Sequence, residues 1–377
     1  MRSFDEMFKG YGMAVFLMGC FVMLNGCLKP SKNENGNKAG EKSMAEVYET
    51  YFDIGSAISI RSLTNETEPI LRYHFNSITC ENEMKPIEIH PEENKYRFER
   101  ADSMVNYAIR HKKKIRGHCL VWHEQVPQWF FYDEGKLASK QLLLKRMKDH
   151  ITTVVSHYKG LVYCWDVVNE AVDDDSTRIY RPTLWYQIAG EEYIEKAFEY
   201  AHDADPQALL FYNDYNAERP EKRERIYTLL KKLKEKNVPI HGVGLQGHWS
   251  IYEPTEKKLE EAIQRFASLG LIIHITELDI SLYPWEKMPR KMFPGENDSL
   301  TAELEERFNA QYLMVFNQFI KHRDVVKSVT FWGISDKYSW LNFYPVAHRR
   351  NYPLLFDRNM QPKPIFYQLL ELPGRKE

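Results

Sequence analysis

The chain has 377 residues, 43% of them hydrophobic and 14% aromatic, with a formal net charge of −2. That length suits one large domain or two ordinary ones, and the apolar content can bury a substantial core. A charge so near zero leaves no electrostatic footprint for nucleic acid, and Lys112-Lys113-Lys114 reads as a solvated helix end.

The first segment is an address, not part of a fold. Met13 to Leu24 is an uncharged apolar run of twelve, long enough for a secretory h-region and too short for a relaxed transmembrane helix. Arg2 and Lys9 precede it, diluted by Asp5 and Glu6. Leu24-Asn25-Gly26-Cys27 then resembles a bacterial lipobox, which predicts a lipoprotein signal over 1–26 and a lipidated Cys27. Residues 27–43 are rich in Lys, Asn, Gly and Glu and read as a flexible tether. Localisation is then expected at a bacterial cell envelope, facing outside the cytoplasm, with plain secretion as the alternative. Of the remaining cysteines, Cys80, Cys119 and Cys164 each sit in an apolar run without CxxC spacing, which predicts buried free thiols.

From residue 44 onward, apolar runs and amphipathic stretches alternate. Candidate strands are Phe52–Ile58, Phe75–Cys80, Ile115–Val121, Val162–Val168, Leu209–Tyr212, Ile240–Leu245, Leu271–Thr276 and Ser328–Trp332. Helical patterns fall at 64–73, 98–113, 137–158, 186–204, 219–236, 255–269, 302–323 and 363–371. The strand runs are continuous, as strands buried on both faces should be. Together these features predict a single α/β domain over 44–377 with a (β/α)8 TIM barrel; a doubly wound open sheet is the fallback.

Polar residues gather at the strand ends. Glu81 and Asn82 follow the second run, His118 to His123 the third, and Asn169-Glu170 the fourth. Asn213 to Asn216 close the fifth, Gln246 and His248 the sixth, Glu277 and Asp279 the seventh, and Trp332 with Asp336 the eighth. In a barrel these ends share one rim, where active sites of this architecture lie. Glu170 and Glu277 stand out, because a carboxylate ending a buried strand is costly without partners. Two carboxylates facing one cleft are the equipment of glycoside hydrolysis; a structural ion pair at the rim is the plainer alternative. The 23 Tyr and 8 Trp suit sugar rings, although most aromatics pack in cores.

Six stretches carry a resemblance to the family 10 glycoside hydrolases, the endo-β-1,4-xylanases. They are Thr79 to Lys85, Arg116 to His123, Trp165 to Ala171, Gly242 to His248, Ile275 to Asp279 and Thr330 to Gly333, in the order of the family pattern. The resemblance implies a retaining mechanism, with Glu170 as acid/base and Glu277 as nucleophile, acting on xylan and xylo-oligosaccharides without a cofactor or metal. It implies that Asn169 meets the sugar 2-hydroxyl and that Gln246 helps position the acid/base. His248 and Asp279 are expected to keep Glu277 ionised and oriented, with His248 also counted among the substrate-binding groups. Glu81, Asn82, Lys85, His118 and Trp122 resemble contacts to the retained sugars, Trp332 and Trp340 resemble cleft walls, and Tyr215 resembles a leaving-side platform. His123 is read more simply as a core histidine, and Asp173-Asp174-Asp175 as a solvated loop.

Two segments, 281–300 and 334–362, are long for barrel loops and are expected to shape the cleft. Other readings remain. A metal-dependent barrel hydrolase is suggested by His118, His123, His248, Glu277 and Asp279, but the chain lacks the usual ligand spacings. A broad β-1,4-glucanase or cellulase of the same mechanism, and a non-catalytic glycan-binding lipoprotein, are the others. A monomer is expected, touching the membrane only through its anchor.

Overall fold

The computed structural model describes residues 42–374 apart from Lys287. The expected signal, Cys27 and nearly all of the tether lie outside the described residues. Ser43, the last tether residue, already belongs to the domain: it is 3% exposed and caps the short helix Met44–Val47 in a reciprocal capping box with Glu46.

Eight strands close into a parallel barrel. They are Asp53–Ile58 (β1), Ser77–Cys80 (β2), Lys114–Val121 (β3), Cys164–Asn169 (β4), Leu209–Asp214 (β5), Gly242–Leu245 (β6), Ile272–Ser281 (β7) and Val326–Phe331 (β8). Each pairs with the next in sequence, and β8 pairs with both β7 and β1, so the sheet has no open side. All eight predicted strands are present, and the open doubly wound sheet is excluded by that closure. Outside them run Glu68–His74 (α1), Glu99–Arg110 (α2), Lys140–His157 (α3), Glu192–Ala204 (α4), Pro220–Glu235 (α5), Glu256–Ala267 (α6), Ala302–Lys321 (α7) and Pro364–Glu371 (α8). Side chains of Ser139, Thr255 and Thr301 cap α3, α6 and α7, and Pro220 and Pro364 open α5 and α8, as the helix-start signals dictate.

The barrel interior is not purely apolar. Arg116 and Asp166, both 1% exposed, form a two-pronged ion pair inside it, with His274 Nδ1 at 2.7 Å from Arg116 Nη1 and the Phe211 ring under the guanidinium at 4.7 Å. Burial makes such a pair expensive, and only its full set of hydrogen bonds makes it tolerable. Gly117 is required beside it, since a Cβ there would run into the Trp165 ring.

One expectation is corrected here. Lys113 is no solvated helix end: it is 8% exposed, and its ammonium donates to the carbonyls of Arg72 (3.0 Å) and Phe75, tying α1 to the barrel. Burial lowers its pKa to about 8. Cys80, Cys119 and Cys164 are free and buried, as expected.

The two long rim loops are joined to each other. Arg290–Lys291 pairs in parallel with Val346–Ala347. Arg290 and Arg349 share the carboxylates of Glu286 and Glu296 across the junction. At the base of the second loop, buried Asp336 accepts from Lys363 Nζ (3.0 Å) and from the Leu354 N–H (2.8 Å).

Candidate active site

Strand register builds the floor of the site. Asn169 on β4 sits opposite Asn213 on β5, and Asn213 opposite Gly244 on β6. A side chain at 244 would collide with the Asn213 amide, so glycine there leaves the space in which Asn213 works. Asn213 Nδ2 donates to Glu277 Oε1 (2.8 Å) and to Asn169 Oδ1 (2.9 Å), while its own Oδ1 accepts from Thr276 Oγ1 (2.6 Å). Asn169 Nδ2 in turn donates to Glu170 Oε1 (3.2 Å). The two glutamates are thus the ends of one chain of amide hydrogen bonds.

Their environments differ. Glu277, 5% exposed, receives His248 Nε2 on Oε2 at 3.1 Å. The opposite ring nitrogen, Nδ1, donates to Asp279 Oδ2 at 3.0 Å, and that oxygen also accepts from Trp340 Nε1 at 2.8 Å. Register again explains the meeting, because the short strand His248–Ser250 pairs with the end of β7, setting His248 beside Asp279. Burial opposes a charged imidazole, yet the Asp279 carboxylate and the bonds to Asp279 and Glu277 raise the His248 pKa to about 10. Burial likewise works against a charged Glu277, but the His248 hydrogen bond and the His118 and His248 rings hold its pKa below the ordinary carboxylate value. With both nitrogens committed, His248 serves Glu277, and a sugar hydroxyl could reach its ring only by displacing one of these partners.

Glu170 stands one residue past β4 in the left-handed region, φ 57°, where a non-glycine residue is strained. Two bonds secure that backbone: its N–H donates to the Asn213 carbonyl (2.9 Å) and its carbonyl accepts from Arg181 Nε (3.2 Å). The carboxylate is only partly buried and accepts from Trp122 Nε1 (2.9 Å) and Gln246 Nε2 (2.8 Å). Trp122 therefore does more than offer a ring, since its N–H orients Glu170.

The other expected sugar contacts line the same rim. Lys85 donates to Asn82 Oδ1 (3.2 Å) and lies 5.1 Å from the Trp122 ring centre. Burial raises the Glu81 pKa, with Lys85 opposing. His118 Nδ1 lies 2.9 Å from Asp166 Oδ2, so the buried Arg116–Asp166 pair fixes its ring. Trp332 stands 5.5 Å from the His118 ring and 6.1 Å from that of His248, and Trp340 stands 4.9 Å from His248.

Two plain readings are corrected. The Asp173-Asp174-Asp175 loop is solvated only in part: Asp173 is 7% exposed, while Asp174, its side chain 40% exposed, still accepts from Lys222 Nζ (2.9 Å), Arg181 Nη2 (3.3 Å) and the Tyr215 hydroxyl and so pins the loop behind Glu170. His123 is partly buried, and its Nδ1 has no hydrogen-bond partner, so it is not the backbone-bonded core histidine expected. Tyr215 lies under Lys222 (3.5 Å to the ring centre), and its hydroxyl accepts from Arg181 (2.7 Å). Asn213 and Arg181 hold the two glutamates in place, although sequence reasoning noted Asn213 only as a strand-end polar residue and Arg181 not at all. Asn213 carried a signal, a polar residue ending a buried strand; Arg181 carried none. Among the described residues no cluster of three or more metal-ligating side chains forms.

The His248 shift has a sign. Its pKa is higher folded than the unfolded value near 6.5, so its contribution to stability is complete below that pH and is lost as pH rises toward about 10. In urea unfolding, the midpoint gap between wild type and His248→Gln should be widest below pH 6.5 and shrink toward pH 10. A gap constant with pH would refute the assignment of the charge.

Comparison with known proteins matches this geometry. The model of glycosyl hydrolase family 10 covers residues 43–372. An endo-1,4-beta-xylanase of Geobacillus stearothermophilus is 47% identical over 332 residues, spanning 88% of this chain and 98% of its own. A beta-1,4-xylanase of Dictyoglomus thermophilum is 48% identical, spanning 87% and 90%. The crystal structure of a Paenibacillus barcinonensis xylanase superposes with a TM-score of 0.84 at 43% identity, covering 89% of this chain and 100% of the other. A mutant structure in complex with xylotriose does so equally well, at 0.84 and 43%, over 87% and 99%. With its whole barrel matched and its rim residues in one hydrogen-bonded array, the chain belongs to glycosyl hydrolase family 10.

Proposed function

We propose that the protein is a retaining endo-1,4-β-xylanase that cuts internal links of xylan by double displacement, with Glu277 as nucleophile and Glu170 as acid/base. The observation that carries this reading is the unequal setting of two linked carboxylates: Glu277 backed by His248 and Asp279, Glu170 half-open beneath Trp122 and Gln246. Glu277 attacks the anomeric carbon while Glu170 gives its proton to the departing oxygen. The covalent intermediate then yields to a water that Glu170 deprotonates, and two inversions restore the configuration. Asn169 is the residue placed for the 2-hydroxyl, a contact that strengthens in the oxocarbenium-like transition state. Relatives described as xylanases at 47% and 48% identity, and a similar structure complexed with xylotriose, support xylan over cellulose as substrate.

The test is the product profile of the domain from residue 42 on xylan and on soluble cellulose, with EDTA present. Short xylo-oligosaccharides from xylan and little from cellulose are expected; comparable release from both would mean a broad β-1,4-glycanase. Glu277→Ala should abolish turnover, a loss of more than about 10⁴-fold, while xylo-oligosaccharide binding persists. Glu170→Ala should lose far more activity on xylan than on aryl xylosides with good leaving groups, which need little protonation. Equal losses on both would contradict the acid role.

The reading extends to the N-terminus: a lipoprotein signal over 1–26, a lipid on Cys27, and a tether that holds a monomeric catalytic domain at the cell envelope, outside the cytoplasm. The support is the apolar run ending in Leu24-Asn25-Gly26-Cys27. Cys27→Ser should move the enzyme from the membrane fraction to the soluble one; unchanged partitioning would remove the anchor.

A further inference from the structure

The two rim loops meet in a ring of four charges. Arg290 is gripped from two sides: Glu286 accepts from Nε (2.6 Å) and Nη2 (3.0 Å), and Glu296 from Nη1 (2.8 Å) and Nη2 (2.9 Å). Arg349, from the other loop, donates Nη1 to both carboxylates at 2.8 Å and lies over the Tyr283 ring, 3.7 Å from its centre. None of the four side chains is more than 25% exposed, so this is a joint and not a solvent-screened surface pairing. A short path leads from it to the cleft. The Arg290 N–H donates to the Pro345 carbonyl at 2.9 Å. Pro345 follows Tyr344, whose ring stacks on Trp340 with centres 5.5 Å apart and planes at 16°. Trp340 in turn stands 4.9 Å from the His248 ring and donates to Asp279.

We propose that the ring of Glu286, Arg290, Glu296 and Arg349 is a positioning device for Trp340, through which the loop after β7 sets how firmly the retained sugars are held. The proposal rests on the xylanase reading and adds to it a source of affinity remote from the sugars. A wall carried on a loop binds well only if it is ordered before substrate arrives, since ordering it on binding subtracts from affinity. Tyr344 is 43% exposed, so packing alone does not fix it. The pairing of Val346–Ala347 with Arg290–Lys291, two residues further on, does. Each carboxylate of the ring touches both guanidiniums. Without the carboxylates, two cations would face each other across the junction, and the loops would part.

The test is a double-mutant cycle read on an aryl xylobioside, whose two sugars are both retained. Glu286→Gln with Glu296→Gln should raise KM about five-fold and leave kcat within about two-fold of wild type. Glu296→Gln alone should move KM the same way by a smaller factor, and it carries the test if the paired variant does not fold. In a Trp340→Ala background the same two substitutions should add less than about two-fold to KM, because the group through which they act is gone. A full five-fold rise in that background would overturn the proposal. So would an unchanged KM, or a fall in kcat alone, which is the mark of a joint that only holds the loops folded. Wild-type protein that cuts neither xylan nor the aryl xylobioside would instead overturn the xylanase reading itself.

Discussion

A carboxylate buried at the end of a barrel strand has to be compensated, and the upper half of this molecule is organised around doing so for Glu277. Water that would solvate the charge is excluded at 5% exposure, so protein groups take its place. His248 supplies the opposing charge, Asp279 holds His248, Trp340 holds Asp279, and Asn213 binds the oxygen His248 leaves free. Each partner is locked by the next, so the nucleophile is held in one orientation before substrate arrives. The same chain reaches the second rim loop, because Trp340 orients Asp279 and sets its ring beside His248.

Beneath this lies a second charged layer. Arg116 and Asp166 occupy the barrel interior, and Asp166 also engages His118. Such a pair is weak evidence for stability, since well-packed apolar residues could fill the same space. Its use is geometric: it connects the barrel floor to a rim histidine and leaves that ring a single orientation. The loops above follow the same logic. Asp174 ties the segment behind Glu170 to Lys222 and Tyr215, and Arg181 joins the Glu170 carbonyl to the Tyr215 hydroxyl. Glu170 and Tyr215 are thereby one mechanical unit.

Much of this was legible before any coordinates. Continuous β-branched runs alternating with capped amphipathic stretches predict a parallel barrel, because only strands covered on both faces tolerate such composition. The clustering of polar residues at run ends predicts the rim, since chain direction alone places those ends together once the strands are parallel. Both glutamates, Asn169 and Gln246 were found that way. Lys113, Asp173 and His123 were misread because burial of a charged or polar side chain depends on which distant segment lands on it. Lys113 is covered by the carbonyls at the end of α1, and the carbonyl of buried Asp173 accepts from an arginine 52 positions away.

Local pattern by itself thus determined the barrel, the rim and the identity of the two carboxylates, because hydrophobic period and strand polarity are properties of short stretches of chain. The resemblance implied that Glu277 is the carboxylate held ionised, and tertiary structure supplied the contacts that hold it so. That depends on the register setting Asn169 beside Asn213 and His248 beside Asp279. Register is fixed by closure of the whole sheet and by the packing of every strand against its neighbours, and no short stretch of sequence contains it.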